Sequence, residues 1–220
     1  MKTNLTELVF ILDKSGSMSG LESDTIGGYN ALLKKQREEP GDAIVTTVLF
    51  DDNVELLHDR INVKGICPIT EKEYFVGGCT ALLDAIGKTI NEILKVQRNI
   101  NEEGQADKVM FVITTDGMEN TSIEYSYEKI KKMVEWQKEK YGWEFIFIGA
   151  NIDAISTAAK FGISSDRAAN YNADGEGTRL NYEAVSHVVS ELRASRPITE
   201  SWKAKIEDDF THRSKGSRII

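Results

Sequence analysis

The feature that most constrains the fold is a series of short apolar runs separated by segments with helical periodicity. Five runs have the length and composition of strands, and they lie at residues 7–13, 43–51, 108–116, 144–150 and, more weakly, 167–173. The first, third and fourth are apolar almost throughout, which indicates strands covered on both faces, as in a parallel sheet. Strands that alternate with helices predict an α/β protein with a mostly parallel sheet.

One further segment, residues 53–63, mixes polar with apolar residues and follows the run at 43–51 after a very short turn. A turn this short joins strands that run antiparallel. We therefore expect an antiparallel strand at the edge of the sheet.

Five segments carry apolar residues at helical spacing, and the clearest stripe spans residues 82–94. Two capping-box patterns, in which a Ser or Thr precedes a Glu by three positions, predict where helices begin. They are Ser19 with Glu22 and Thr121 with Glu124. These helices are expected to flank the sheet.

The chain of 220 residues is expected to form one domain followed by an extension. Hydrophobic residues make up 40% of it, enough to bury a sizeable core, and neither an internal repeat nor a change in composition marks a second domain. The helical periodicity fades from about residue 195. We predict a domain at residues 1–194 and a solvated extension with a basic end at residues 195–220.

The charge and the apolar pattern argue against two classes of partner. A net charge of −8 disfavours binding to nucleic acid, whose phosphates would be repelled. No apolar run approaches the roughly 20 residues that cross a bilayer, and the first residues lack the apolar region of a signal peptide. The sequence therefore predicts a cytoplasmic protein with no membrane partner, in which Cys67 and Cys79 are reduced thiols.

Oxygen-bearing side chains follow two of the predicted strands and precede one predicted helix. Asp13, Ser15 and Ser17 come at the end of the first strand, Asp116 ends the third apolar strand, and Thr80 stands before the clearest helix. In a doubly wound sheet, ligands bind at the carboxyl ends of the strands. Carboxylates and hydroxyls suit a hard cation such as Mg²⁺, and the lack of Cys and His in the set argues against zinc or copper.

A plainer interpretation is that Ser15 and Ser17 cap a turn and that Asp116 caps the segment after it. It does not explain why all of these polar clusters fall on one side of the predicted sheet. We therefore favour a metal site.

The same residues carry a resemblance to a known family. "DKSGS" at 13–17, "GGCTALLDAI" at 77–86 and "TTDGMEN" at 114–120 resemble the metal-ion-dependent adhesion site of the von Willebrand factor type A domain family. The family pattern is Asp-x-Ser-x-Ser, then a Thr, then an Asp, and the resemblance covers about residues 5–193. It implies a Rossmann-like, doubly wound sheet of six strands in the order 3-2-1-4-5-6, with strand 3 antiparallel and helices on both faces.

The resemblance also implies roles for the matched residues. Ser15, Ser17 and Thr80 would be direct metal ligands, and Asp13 and Asp116 would act largely through water. An acidic residue of a protein ligand would complete the coordination. Among members of the family, the chain most resembles stand-alone bacterial members, some of which are associated with tellurite resistance.

The function predicted from these observations is divalent-cation-dependent protein binding within an intracellular complex, without catalysis. The expected ion is Mg²⁺, with Mn²⁺ or Ca²⁺ as alternatives, and the expected partner is a protein that presents an Asp or Glu. The alternative is a metal-dependent phosphohydrolase with Asp13 as nucleophile or ligand. Two features argue against the phosphohydrolase. Ser15 stands where a second carboxylate would be expected, and Lys14 is the one lysine in these motifs that could stabilise a leaving group. A third interpretation is a structural subunit with a vestigial site.

Overall fold

The computed structural model describes residues 4–101 and 104–216. Its centre is a six-stranded sheet in the order β3-β2-β1-β4-β5-β6. The strands are β1 (Thr6–Asp13), β2 (Ala43–Phe50), β3 (Val54–Asn62), β4 (Lys108–Thr115), β5 (Glu144–Gly149) and β6 (Ala168–Asn170). The weakest of the predicted strands, at 167–173, is thus three residues long.

The strand pairing confirms the predicted fold class. β1 pairs in parallel with β2 on one side and with β4 on the other, and β5 and β6 continue the parallel arrangement. β3 follows β2 after a short turn and pairs antiparallel with it, at the edge of the sheet. Because β1 and β4 are central neighbours, the loops that leave their carboxyl ends lie next to each other.

Helices cover both faces of the sheet. They are α1 (Glu22–Glu38), α2 (Leu82–Asn99), α3 (Tyr127–Tyr141), α4 (Ala154–Lys160), α5 (Gly175–Arg193) and α6 (Ala204–Gly216). The alternation of side chains along β1 shows the two layers, since Phe10 packs with α1 and α5 while Ile11 packs with α2 and α3. The predicted near-continuous apolar strands are therefore buried on both faces.

The capping box predicted at Ser19 and Glu22 does not form. Helix α1 begins after Leu21, which provides no side-chain cap, and the Glu22 carboxylate accepts a hydrogen bond from the Gly20 N–H at 2.7 Å. The Glu22 carboxylate therefore stabilises the turn before the helix instead of pairing with Ser19 in a capping box.

The capping box predicted at Thr121 and Glu124 is also wrong. Helix α3 begins later, after Ser126, whose hydroxyl oxygen accepts from the Lys129 N–H. The Thr121 N–H donates instead to the carboxylate of Glu119, which keeps this segment in the loop after β4.

The segment after residue 194 differs from the predicted solvated extension. A 3-10 turn leads into α6, and Trp202 and Ile206 belong to the core beside α1 and α5. Lys203, which was expected to be solvated, is buried and forms an ion pair with Glu207. The predicted basic end falls partly on residues 217–220, which lie outside the described residues.

Within the described ranges, no helix combines the length and the apolar character needed to cross a bilayer.

Candidate metal centre

Three of the predicted site residues lie on one loop that leaves the end of β1. Asp13 is the last residue of the strand, and its Oδ1 accepts a hydrogen bond from the Ser15 N–H at 2.7 Å. This short turn directs the hydroxyl of Ser15 towards that of Ser17, at an Oγ–Oγ distance of 3.0 Å. The alternation of Asp, Ser and Ser therefore gathers three oxygen-bearing side chains within one turn.

Asp116 joins this group from the neighbouring strand. It follows β4 directly, and its Oδ1 accepts a hydrogen bond from the Ser17 hydroxyl at 2.5 Å. The two residues are 99 positions apart in the chain, so the contact depends on the parallel pairing of β1 with β4.

Thr80 approaches from the loop before α2. A Cβ atom added at Gly117 would lie 3.0 Å from Ser17 Oγ and 3.2 Å from Thr80 Oγ1. Both hydroxyls therefore flank Gly117, the residue after Asp116, and a side chain there would crowd them. The structure thus brings together all five residues that the sequence singled out.

Two further residues fix Asp13. The Thr115 hydroxyl donates to Asp13 Oδ2 at 2.6 Å, and the buried Tyr74 hydroxyl donates to the Asp13 carbonyl oxygen at 2.5 Å. Asp13 is almost completely buried. Burial raises the pKa of its carboxyl group, and the nearby charge of Asp116 raises it further, whereas the hydrogen bonds from Ser15 and Thr115 oppose this shift.

The two oxygens of the Asp116 carboxylate differ in their surroundings. Its Oδ2 is buried and has no hydrogen-bond partner within the described residues. Burial raises the pKa of this carboxyl group as well, while the hydrogen bond from Ser17 lowers it. Two buried carboxylates with an orphaned oxygen beside three hydroxyls are costly without a compensating positive charge. The residues therefore fit a divalent cation.

The ligand chemistry of the site is that of a hard ion. Hydroxyl and carboxylate oxygens suit Mg²⁺, Mn²⁺ or Ca²⁺. Among the residues that the structure describes, no three or more His, Cys, Asp and Glu side chains cluster into a metal site. A cation at this centre would therefore depend on the serine and threonine hydroxyls as well as on the two aspartates.

Glu119 holds the loop between β4 and α3 in place. Its carboxylate accepts hydrogen bonds from the N–H groups of Leu83, Thr121 and Ser122 and from the Ser122 hydroxyl, at 2.8–3.0 Å. One of these donors lies in the first turn of α2 and the others in the loop itself. Glu119 thus ties the Asp116 loop to the helix that follows Thr80.

Two more side chains complete this connection. Asn120 Oδ1 accepts from the Thr80 N–H at 2.9 Å, while the Asn120 N–H donates to the Thr80 carbonyl oxygen at 3.1 Å. Asp84, in the first turn of α2, accepts from three successive N–H groups at residues 123–125. These contacts fix the position of Thr80 relative to Asp116.

The lysine inside the first motif points to other partners. Lys14 Nζ donates to Glu55 Oε2 at 2.9 Å and lies 3.8 Å from Asp51 Oδ2. It also lies 4.6 Å from the centre of the Phe75 ring. The ammonium group is therefore engaged by Asp51 in the turn after β2, by Glu55 at the start of β3 and by Phe75 in the loop before Thr80.

Asp52 and Cys79 meet beside the site. Asp52 Oδ1 accepts from the Cys79 N–H at 3.0 Å, which supports the turn before Thr80. A hydrogen bond to Asp52 raises the pKa of the exposed Cys79 thiol, so the thiolate is disfavoured.

Several supporting residues were missed by the sequence analysis: Tyr74, Asp84, Thr115, Glu119 and Asn120. A signal existed for Asp84, because it is a charged residue within the most apolar helical stripe and only 5% exposed. Glu119 and Asn120 lie inside the matched "TTDGMEN" segment. Tyr74 had no local signal.

No protein-family model matches the sequence, and no curated protein sequence matches it. The fold is similar to several solved structures. One is proximal thread matrix protein 1 from the mussel byssus, at 14% identity and a TM-score of 0.59, over 84% of this chain and 46% of that chain. Another is a von Willebrand factor type A protein from Catenulispora acidiphila, at 12% identity and a TM-score of 0.58, over 84% of this chain and 42% of that one.

Two similar structures contain a metal. Manganese-loaded TRAP protein from Plasmodium vivax has 15% identity and a TM-score of 0.56, over 79% of this chain and 70% of that chain. The mussel protein with a zinc-occupied MIDAS motif has 13% identity and a TM-score of 0.56, over 84% of this chain and 46% of that chain. The present chain thus spans about half the length of the mussel protein. At these identities the likeness shows the fold, which is that of von Willebrand factor type A domains.

Proposed function

We propose that this chain is a von Willebrand factor type A module with an intact metal-ion-dependent adhesion site, and that it binds a protein partner through a divalent cation. The observation that carries the proposal is the buried Oδ2 of Asp116, which has no hydrogen-bond partner among the described residues, on a carboxylate whose Oδ1 accepts from the Ser17 hydroxyl. A purely structural cluster would satisfy that oxygen internally.

In the proposed complex, the hydroxyls of Ser15, Ser17 and Thr80 would hold the ion, and Asp13 and Asp116 would act largely through water. The proposed cation is Mg²⁺, with Mn²⁺ or Ca²⁺ as alternatives. Because three of its ligands would be neutral hydroxyls, its positive charge would be only partly compensated by this chain. An Asp or Glu of the partner would complete the coordination of the ion.

The proposed setting is a cytoplasmic protein assembly without nucleic acid or membrane. Cys67 and Cys79 are both free thiols, which is consistent with a reducing compartment. We further propose that the module occupies residues 1–194, with residues 195–220 as an extension whose described part packs against it. We also propose that it belongs to the stand-alone bacterial type, some members of which are associated with tellurite resistance.

The proposed activity is binding without catalysis. A lysine could stabilise the leaving group of a metal-dependent phosphohydrolase, but the ammonium group of Lys14 is engaged by Glu55 and Asp51. Turnover of a generic phosphate ester by the wild type, lost in Asp13→Ala, would favour this alternative.

Calorimetric titration of the metal-free protein with Mg²⁺, Mn²⁺ and Ca²⁺ tests the metal site. We expect Asp116→Asn and Thr80→Ala to weaken binding by about tenfold or more while the far-ultraviolet circular dichroism stays unchanged. Asp153→Asn is the matched control, because Asp153 caps α4 and an Asn can cap equally well. Equal affinities in all variants would contradict the proposal.

Affinity capture from an extract of the cells that make the protein tests the partner. A protein retained by the wild type in Mg²⁺ but lost in EDTA, and lost in Asp116→Asn, is the expected result. Retention in EDTA would show that the binding does not depend on the metal.

A further inference from the structure

The large apolar side chains that are exposed in the described part of the chain fall into two groups. The described residues contain seven large hydrophobic side chains that are exposed, and four of them lie on β3 or α3: Leu56, Ile61, Trp136 and Tyr141. The other three lie on loops at the carboxyl edge of the sheet. They are Phe75, Met118 and Ile123, with 58%, 74% and 90% of their surfaces exposed. We refer to these three as the apolar rim.

Phe75 lies on the β1 side of the candidate metal centre. Its ring contacts the ammonium group of Lys14, the residue between Asp13 and Ser15. The loop that carries it is fixed to the first motif, because the Gly77 N–H donates to the Lys14 carbonyl at 2.9 Å and the Gly16 N–H donates to the Gly78 carbonyl at 3.1 Å.

Met118 and Ile123 lie on the β4 side. Met118 follows Gly117, which is flanked by the hydroxyls of Ser17 and Thr80. The Ile123 N–H donates to Asp84 Oδ2 at 3.1 Å, which places Ile123 beside the first turn of α2. Since Glu119 and Asp84 hold this loop through its backbone, the exposure of both side chains is built into the fold.

The charge around the site limits what can bind there. The chain has a net charge of −8, and Asp51, Asp52, Glu55 and Glu119 lie close to the two motifs. The net negative charge of the chain disfavours a strongly acidic partner, except at the cation itself. A single carboxylate is therefore favoured at the centre, with uncharged neighbours against the exposed apolar side chains.

We propose that the partner presents one Asp or Glu within an extended segment whose flanking residues are apolar, and that these residues pack on Phe75 on one side and on Met118 and Ile123 on the other. This inference rests on the proposed function, because the carboxylate is expected to reach the cation. The apolar rim would then favour an Asp or Glu with apolar neighbours over other carboxylates.

A peptide library tests the inference. Random nonapeptides with a fixed central Asp are displayed and selected on the immobilised full chain in Mg²⁺, beside a matched library with a fixed central Asn. We expect enrichment of Leu, Ile, Phe and Met next to the Asp, and no enrichment from the Asn library. Met118→Ser and Ile123→Ser are expected to weaken the selected peptides by about fivefold or more, whereas Trp136→Ser, at an exposed position on α3, leaves them unchanged.

The outcomes separate the two proposals when metal binding is measured alone by calorimetry. Two results would refute the role of the apolar rim without refuting metal-dependent binding. One is metal-dependent selection of Asp peptides with random flanking residues, and the other is a set of selected peptides that bind Met118→Ser as tightly as the wild type. Metal binding with no selected peptide would also overturn the rim. Failure to bind metal would refute the proposed function, and this inference with it.

Discussion

At the scale of single residues, the centre depends on carboxylates in different roles. Asp13 and Asp116 are buried beside three hydroxyls, and the Oδ2 of Asp116 is left without a partner in the described part of the chain. Glu119 and Asp84 instead accept backbone N–H groups and hold the loops that carry the others. Loss of a carboxylate therefore has different consequences at these two kinds of position.

Glu119→Ala leaves four donors without their acceptor, so we expect the free energy of unfolding to fall by about 2 kcal/mol. The loop between β4 and α3 should exchange its amide hydrogens faster, and the metal affinity should fall because Thr80 and Asp116 are no longer tied together. Hydrogen exchange and calorimetry measure both effects. Glu124→Ala is the control, since it removes only an exposed ion pair with Lys88; equal effects of the two variants would refute this role of Glu119.

Glu7 makes the stability of the fold depend on pH. Its carboxyl group is fully buried, with Oε2 bonded to Arg60 and Gln97, and burial raises its pKa above the ordinary value of 4.5, although Arg60 opposes the shift. A carboxyl group with a raised folded-state pKa stabilises the fold most at low pH, and that contribution is lost as the pH rises through the folded-state pKa.

Glu7→Gln removes this titration. As the pH rises above about 4.5, the wild type should lose stability relative to the variant, until the folded-state carboxyl group is ionised. Urea unfolding of both proteins across this range measures the difference. A difference that stays constant with pH would contradict the prediction.

At the scale of elements, the packing of α1 against α5 is close enough to require a glycine. A Cβ atom added at Gly28 would lie 2.3 Å from Cδ2 of the Tyr182 ring, whereas one added at Gly27 would meet nothing within 4 Å. The two adjacent positions in α1 therefore have opposite requirements, although the sequence alone does not distinguish them.

Gly28→Ala should destabilise the protein by about 1–3 kcal/mol because the tyrosine or the helix must move. Gly27→Ala should stabilise it by about 0.5–1 kcal/mol, since alanine is the better residue in an exposed helical position. Thermal unfolding measures both changes. A loss of stability in Gly27→Ala, or none in Gly28→Ala, would contradict this account of the α1–α5 contact.

At the scale of the whole molecule, the described part of the C-terminal segment belongs to the core. Trp202 is 5% exposed, and its Nε1 donates to the Asp166 carbonyl oxygen at 2.8 Å. Its ring joins the cluster that α1 and α5 form against the sheet. The segment therefore contributes to the stability of the domain, and the boundary at residue 194 stays a prediction.

Trp202→Ala should lower the free energy of unfolding by about 3–5 kcal/mol, because it opens a cavity in the core. For a domain of this size, the melting temperature should fall by roughly 10 °C. Trp136→Ala is the matched control, because that indole is half exposed on α3. If the two variants melted alike, the segment would not be part of the cooperative unit.

The sequence by itself determined the layered α/β fold and the grouping of Asp13, Ser15, Ser17, Thr80 and Asp116. Strand burial follows local apolar patterning, and neighbouring parallel strands place their carboxyl ends at one edge of the sheet. These features are therefore readable from short stretches of chain.

Only the tertiary structure decided the rest. The two predicted capping boxes failed because Glu22 and Thr121 bond within the preceding loops. The hydrogen bond from Trp202 to Asp166 and the one from Leu83 to Glu119 each join residues 36 positions apart. Such contacts produce no periodic pattern in the sequence. A polar side chain that binds a distant backbone group can have the same sequence neighbours as one that faces water.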